Sequence, residues 1–152
     1  MGRMNWGRIL FAGLLCGLVI DGGEYLLHKM VFADDWKAAM QKLNIAVAEI
    51  SGTFVAFTVA GILLGVVTAW LYAAILPRYG TRARTALLAA VAIWIPGYFL
   101  GLLAMFLLGI VPPGIAFFSM AGGLAELVCG VLLSRLIYAD MKDTLQVAPG
   151  IR

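Results

Sequence analysis

Four long apolar segments dominate this chain, and each exceeds the roughly 20 residues that a helix needs to cross the hydrocarbon core of a bilayer. Hydrophobic residues make up 63% of the sequence and charged residues only 12%, whereas a soluble domain carries about 25% charged residues. Helices suit such segments, because backbone polar groups in lipid must be hydrogen-bonded within the segment. The sequence therefore predicts an all-α, polytopic membrane protein formed by one domain, residues 1–152. We expect transmembrane helices at about 8–32, 45–76, 85–110 and 114–138.

Short connections and small residues indicate how these segments pack. A Pro-Pro-Gly turn within residues 111–114 forces the third and fourth segments into a tight hairpin. Each segment also carries two small residues four positions apart, which lets helix backbones approach closely in lipid. We therefore expect a compact antiparallel four-helix bundle, with some small-residue faces available to outside partners. The pairs are Gly13 and Gly17, Gly61 and Gly65, Gly97 and Gly101, and Ala121 and Ala125.

The distribution of lysine and arginine predicts the orientation of the bundle. If the N-terminus lies in the cytoplasm, eight of the 11 Lys and Arg residues fall on the cytoplasmic side. Positive charge in short loops favours that side, so we expect both termini in the cytoplasm. The net charge of +3 thus reflects membrane topology and does not indicate nucleic-acid binding. The strongest evidence for this orientation is the cluster of Arg78, Arg82 and Arg84 in one short loop. The opposite side of the membrane would hold Lys29, Lys37 and Lys42.

The connection between the first two segments predicts a short amphipathic helix at about 34–44 on the outer side. Trp36, Ala39, Met40 and Leu43 are spaced so that they share one helical face. We expect this face to lie on the membrane surface or against the bundle. Asp34 is the expected N-cap.

Five ionisable residues in or beside the apolar segments form the candidate intramembrane polar site. Asp21, Glu24 and His28 follow one stripe of the first helix, at i, i+3 and i+7. Measured from the outer helix ends, Asp21 and Glu126 are roughly 15–18 Å deep, Glu24 about 12 Å, and Glu49 and His28 about 6 Å. Ionisable groups within lipid are costly and are usually functional or paired.

Three interpretations of this polar site remain open. It can be a pathway for protons or cations, since carboxyl and imidazole groups in apolar surroundings suit proton relay. It can hold a metal ion, although the Glu-x-x-x-His spacing differs from the Glu-x-x-His spacing of di-iron bundles. It can also be structural, with neutral carboxyl groups hydrogen-bonded between helices. The sequence by itself identifies no metal and no cofactor.

Pro96 and Gly97 lie midway along the third segment. Pro96 cannot donate a backbone hydrogen bond to Ala92, so we expect a kink there. Such a kink is either a hinge beside a site or a tolerated irregularity of shape, because these residues are common in membrane helices.

Several short runs of sequence carry a further signal. They are residues 5–10, Gly23-Glu24, Asp35-Trp36 with Ala39-Met40, and the run of residues 70–80. Together they resemble a group of small four-helix proteins of the bacterial inner membrane. The resemblance implies that the chain is a multi-pass protein of the bacterial inner (cytoplasmic) membrane. It implies no activity, ligand or catalytic residue.

Catalytic motifs are absent from the sequence. It contains no phosphate-binding glycine loop, His-Glu-x-x-His, Gly-x-Ser-x-Gly or Cys-x-x-Cys, so we do not expect an enzyme. The first expectation is an accessory or structural subunit that packs against other membrane subunits or a second copy within the bilayer. The alternative is a proton- or cation-coupled carrier or channel that uses Glu24 and Glu126. A membrane metal-binding protein is the third.

Overall fold

A computed structural model describes residues 5–44, 51–81 and 83–146, and this part of the chain consists of helices and short connections. Six α-helices are interrupted by two π-helical turns, which we call the first and second π turns. The elements in chain order are α1 (Trp6–Tyr25), the first π turn (Leu26–Val31), α2 (Ala33–Lys42), α3 (Ser51–Tyr79), α4 (Ala83–Trp94), the second π turn (Ile95–Phe99), α5 (Leu100–Leu107) and α6 (Pro113–Gln146).

Within the described residues, four helical stretches are long and apolar enough to cross a membrane. They are Trp6–Val31, Phe54–Tyr79, Ala83–Leu107 and Pro113–Ile137. The predictions of an all-α chain and four membrane-length helices are therefore confirmed. The second segment ends slightly later than predicted, because α3 continues through Pro77 to Tyr79. Residues 45–50 of the predicted segment lie outside the described residues.

The bundle is organised around α1, which packs against both α3 and α6, while α4 packs against α3 and α6. Side chains from all four membrane-length stretches meet in one core. Cys16 and Ile20 of α1, Tyr72 of α3, Ala89 of α4 and Leu127 of α6 are buried there. Many large apolar side chains elsewhere are exposed, as expected for helix surfaces that face lipid.

The closest helix contact joins α1 and α3 through glycines. A Cβ atom on Gly65 would overlap the backbone of Gly17 and lie 2.5 Å from the carbonyl oxygen of Gly13. A Cβ atom on Gly17 would lie 2.6 Å from the Cα atom of Ile62. The two predicted Gly-x-x-x-Gly pairs of these helices therefore pack against each other, because only glycine permits backbones to come this close.

The other two small-residue pairs do not serve the bundle in this way. Gly97, Gly101, Ala121 and Ala125 are all exposed. Instead, α6 uses glycines that the spacing argument did not select. Gly123 accommodates the ring of Tyr98, and Gly130 accommodates Cys16 of α1.

Helix α2 covers one end of the bundle, which we call the α2 end. Trp36 packs against an apolar cluster that includes Val111 and Ile115, and Ala39 is buried. The amphipathic face predicted for this helix thus packs on the bundle, although its last residue, Leu43, is exposed. The prediction of Asp34 as the N-cap is wrong, because α2 begins at Ala33 and Asp34 lies in its first turn.

Candidate functional site

The two π turns bring unusual backbone geometry to the same region of the bundle. The first contains His28 and the second contains Tyr98. A π turn inserts an extra residue into a helix and so changes the direction of the following side chains. Such turns are rare and occur frequently at functional sites.

The second π turn lies where Pro96 and Gly97 predict a kink. Proline has no N–H to donate, so the α-helical hydrogen-bond ladder cannot continue unbroken. Here the N–H of Leu100 reaches back to the carbonyl of Ile95, a π-type bond that encloses Pro96. The backbone irregularity falls at the predicted residues, whereas a hinge function for them stays a prediction.

Three side chains at the α2 end form a continuous hydrogen-bonded series. The indole N–H of Trp36 donates to Nδ1 of His28 at 2.6 Å. Nε2 of His28 lies 2.7 Å from a carboxyl oxygen of Glu24. Because an indole can only donate, Nδ1 must be unprotonated, and a neutral imidazole then carries its proton on Nε2. Trp36 therefore selects the tautomer in which His28 donates to Glu24.

A second group of polar side chains lies deeper, around Glu126 near the middle of α6. The hydroxyl of Tyr98 lies 3.4 Å from Oε2 of Glu126, within hydrogen-bond distance. Glu24 lies beside the same hydroxyl and is close enough to interact electrostatically with Glu126. Asp21 also interacts electrostatically with Glu24 and Glu126. Glu24 therefore connects the hydrogen-bonded series at the α2 end with the deeper group around Glu126.

Glycines create the space that this polar group occupies. A Cβ atom on Gly23 would overlap the carboxyl group of Glu126, and one on Gly61 would overlap that of Asp21. A Cβ atom on Gly123 would overlap the ring of Tyr98. These glycines allow two carboxyl groups and a tyrosine to fit between closely packed helices.

The site is buried to different degrees along its length. Glu126 is only 9% exposed, whereas the side chains of His28 and Glu24 are 25% and 32% exposed. Within the described residues, Oδ2 of Asp21 and Oγ of Ser119 are buried without a hydrogen-bond partner. The arrangement runs from a partly exposed histidine at the α2 end to buried carboxyl groups near the middle of the helices.

Comparison with known proteins does not assign the chain to a family. No family model, curated protein or solved structure gives a significant match. The chemistry of the site is therefore argued from its own residues.

Of the five predicted site residues, four are brought together by the fold: Asp21, Glu24, His28 and Glu126. Glu49 lies outside the described residues. In the part of the chain that the structure describes, no three His, Cys, Asp or Glu side chains form a group able to hold a metal ion. The metal-binding interpretation stays a prediction.

Sequence reasoning missed Tyr98 and two of the three glycines that make room for the polar site, Gly23 and Gly123. Tyr98 directly follows the Pro96-Gly97 pair, and that proximity to a predicted distortion was the available signal. Gly23 and Gly123 each form a Gly-Gly pair with a preceding glycine, Gly22 or Gly122. Such pairs are unfavourable in a helix interior unless close packing requires them.

Proposed function

We propose that this protein binds and exchanges protons at an intramembrane site formed by Glu24, Glu126, His28 and Tyr98, as part of a proton-coupled carrier. The observation that carries the proposal is the connected series of Trp36, His28 and Glu24, which leads from the α2 end to the deeper carboxyl groups. Each of these groups can donate or accept a proton or orient one that does.

Access to the site is proposed to come from the α2 end. On the other side of Glu126 the core is filled by apolar or weakly polar side chains, among them Cys16, Leu127 and Val131, which are fully buried. Carboxyl groups that interact strongly take up protons as a set, since protonating one changes the field at its neighbours. A site reached from one side and closed from the other suits a coupled carrier better than an open channel.

The proposal includes an antiparallel bundle in a bacterial inner membrane with both termini in the cytoplasm and α2 outside. Gly13 packs near Val66 and Gly17 near Ile62, so the contacts run in opposite directions along α1 and α3. The distribution of Lys and Arg supports the orientation. A membrane-impermeant amine reagent added to intact cells should label Lys42 and spare Arg84→Lys, and the reverse pattern would invert the proposed topology.

Proton uptake in proteoliposomes tests the function. A pH step across the membrane should drive proton uptake by the native protein, reported by an entrapped pH-sensitive dye. We expect Glu24→Gln combined with Glu126→Gln to lower uptake by about 10²-fold or more, because one proton-transfer group typically contributes about 10²–10⁴-fold. Asp35→Asn is the matched control, because Asp35 is an exposed acid at the α2 end. Full uptake by the double variant would refute the proposal.

A second candidate function is favoured by a separate observation. The small-residue pairs Gly97 and Gly101, and Ala121 and Ala125, are exposed, whereas those of α1 and α3 are used inside the bundle. Exposed small residues permit close approach of another helix, which suits an accessory subunit or a homo-oligomer. Native mass spectrometry in mild detergent tests this candidate: a monomer without partners would count against it.

A further inference from the structure

The hydrogen bond between Trp36 and His28 does more than fix an imidazole tautomer. Trp36 lies on α2, whereas His28 lies in the first π turn, so the bond ties the covering helix to the polar site. The acceptor is the unprotonated Nδ1 atom, because Nε2 faces the carboxyl group of Glu24. A proton that reaches His28 from the α2 end must therefore bind the atom that Trp36 occupies.

We propose that Trp36 is a latch on proton entry: a proton passes from the α2 end to Glu24 only when the indole releases Nδ1 of His28. This inference rests on the proposed function for its role in transport. The latch itself, a hydrogen bond that exists in only one protonation state of His28, stands on the geometry alone.

The proton balance of the step is simple. A proton binds Nδ1, the indole bond breaks, and the imidazolium now carries a proton on each nitrogen. Nε2 then passes its proton to Oε2 of Glu24, which leaves a carboxylic acid and a neutral imidazole protonated on Nδ1. That imidazole cannot accept from Trp36, because an indole only donates. The latch closes again when the neutral ring changes tautomer through water: Nδ1 gives its proton to water and Nε2 takes a proton from water. Glu24 therefore keeps the one proton that entered.

Among the described residues, few charged or titratable groups lie around His28. Glu24, on the same helical stretch, contacts it directly. Tyr98 and Glu126 lie behind Glu24. The charged side chains of α2 nearest in sequence to Trp36, those of Asp34, Asp35 and Lys37, are exposed. Among these described groups Glu24 is the one in direct contact with His28, so we expect it to have the strongest influence on the state of the latch.

Release of Trp36 should also loosen α2. Besides this bond, α2 is held by apolar packing of Trp36 and by the buried side chain of Ala39. Among the contacts of the described residues, loss of the bond leaves this packing, so we expect α2 to open more often when His28 is protonated. Ala39 then becomes accessible, whereas Ala38, on the exposed face of the same helix, does not change.

The first test is a spectrum of the single histidine of the chain. Protein labelled with 15N-histidine in lipid nanodiscs should show one protonated nitrogen and one unprotonated nitrogen that accepts a hydrogen bond. Trp36→Phe should shift the unprotonated nitrogen resonance toward that of a free acceptor, whereas Trp70→Phe, a matched loss of an exposed indole, should not. A resting His28 protonated on Nδ1, or no response to Trp36→Phe, would overturn the proposal.

The second test measures opening of α2 by thiol labelling in a background of Cys16→Ala and Cys129→Ser. The labelling rate of Ala39→Cys is divided by that of Ala38→Cys, which cancels the pH dependence of thiol reactivity that both variants share. We expect this ratio to rise in the native protein as His28 is protonated. In Trp36→Phe it should already be high at neutral pH and stay nearly independent of pH, and in His28→Gln it should also lose its pH dependence. The expected rise is about 2- to 10-fold, as for loss of one hydrogen bond, and a ratio independent of pH would contradict the latch.

The two tests separate the latch from the carrier. If both succeed while proteoliposomes show no proton uptake, the latch stands and the carrier function fails. If uptake is present and depends on Glu24 but Trp36→Phe changes neither the spectrum nor the labelling ratio, the carrier stands and the latch fails.

Discussion

Gly23 of α1 lies directly against the carboxyl group of Glu126 on α6, in the space that a Cβ atom would fill. At the preceding residue, Gly22, an added Cβ would meet open space: no described atom lies within 4 Å apart from its chain neighbours and the nearby backbone of its own helix. Two adjacent glycines of one helix therefore have different roles. One makes room for the polar site and the other does not.

Gly23→Ala should displace the carboxyl group of Glu126 from Tyr98 and Glu24. The methyl group would overlap several atoms of the Glu126 side chain, so that side chain must rotate away. We expect proton uptake to fall by about an order of magnitude, less than the roughly 10²–10⁴-fold cost of losing a proton-transfer group, because Glu126 is displaced and not removed. The proteoliposome assay measures this effect.

Gly22→Ala is the control for that variant. The methyl group added at Gly22 enters open space, so proton uptake should stay unchanged. The free energy of unfolding should rise by up to about 1 kcal/mol, because alanine favours helix more than glycine does. If Gly22→Ala lowered proton uptake as much as Gly23→Ala does, the space beside Gly23 would not be what positions Glu126.

Gly65→Ala should separate α1 from α3. Its methyl group would meet the backbone of Gly17 and Gly13, which cannot rotate out of the way as a side chain can. We expect the free energy of unfolding to fall by about 1–3 kcal/mol, the usual cost of overpacking. Titration with a denaturing detergent, followed by circular dichroism, measures the change. Gly101→Ala, where an added Cβ has open space, should cause no comparable loss.

Tyr98→Phe should leave the ring packed against Gly123 and remove only the hydroxyl beside Glu126. The loss of one buried hydrogen bond should cost about 1 kcal/mol of unfolding free energy. It should also shift the carboxyl C=O stretch of Glu126 in the infrared spectrum. The exposed Tyr79 provides the control, since Tyr79→Phe removes a hydroxyl outside the polar site. An unchanged infrared spectrum in Tyr98→Phe would argue against contact between these groups.

Ser134→Ala should weaken the contact between α6 and α1. The hydroxyl of Ser134 lies 3.0 Å from the carbonyl oxygen of Ala12 on the neighbouring helix. Hydrogen bonds between membrane helices average about 0.6 kcal/mol, so we expect a loss of that size in the detergent titration. Thr68→Val is the comparison, because Thr68 bonds only the carbonyl of Leu64 in its own helix among the contacts seen. An equal loss in both variants would mean that the bond between helices adds nothing.

Some features of the polar site could be predicted because they depend on position along a helix. Asp21, Glu24 and His28 share a stripe through helical periodicity alone, and Glu126 was expected at a similar depth through the rise per residue. Contact of Tyr98 with Glu126 could not be predicted. It depends on a π turn that redirects the side chain and on Gly123, whose role is visible only once α4 and α6 pack together.

The sequence by itself determined that the chain is helical and has four membrane-length apolar stretches, because both follow from local composition and from the need to satisfy the backbone within lipid. Only the tertiary structure decided which small residues are used in packing and which polar side chains meet. Gly13, Gly17, Gly61 and Gly97 look alike along the chain, yet Gly97 is exposed and the other three lie between helices. The rotation of each helix about its own axis determines whether a glycine faces a neighbouring helix or is exposed. That rotation depends on how all the neighbouring helices pack together.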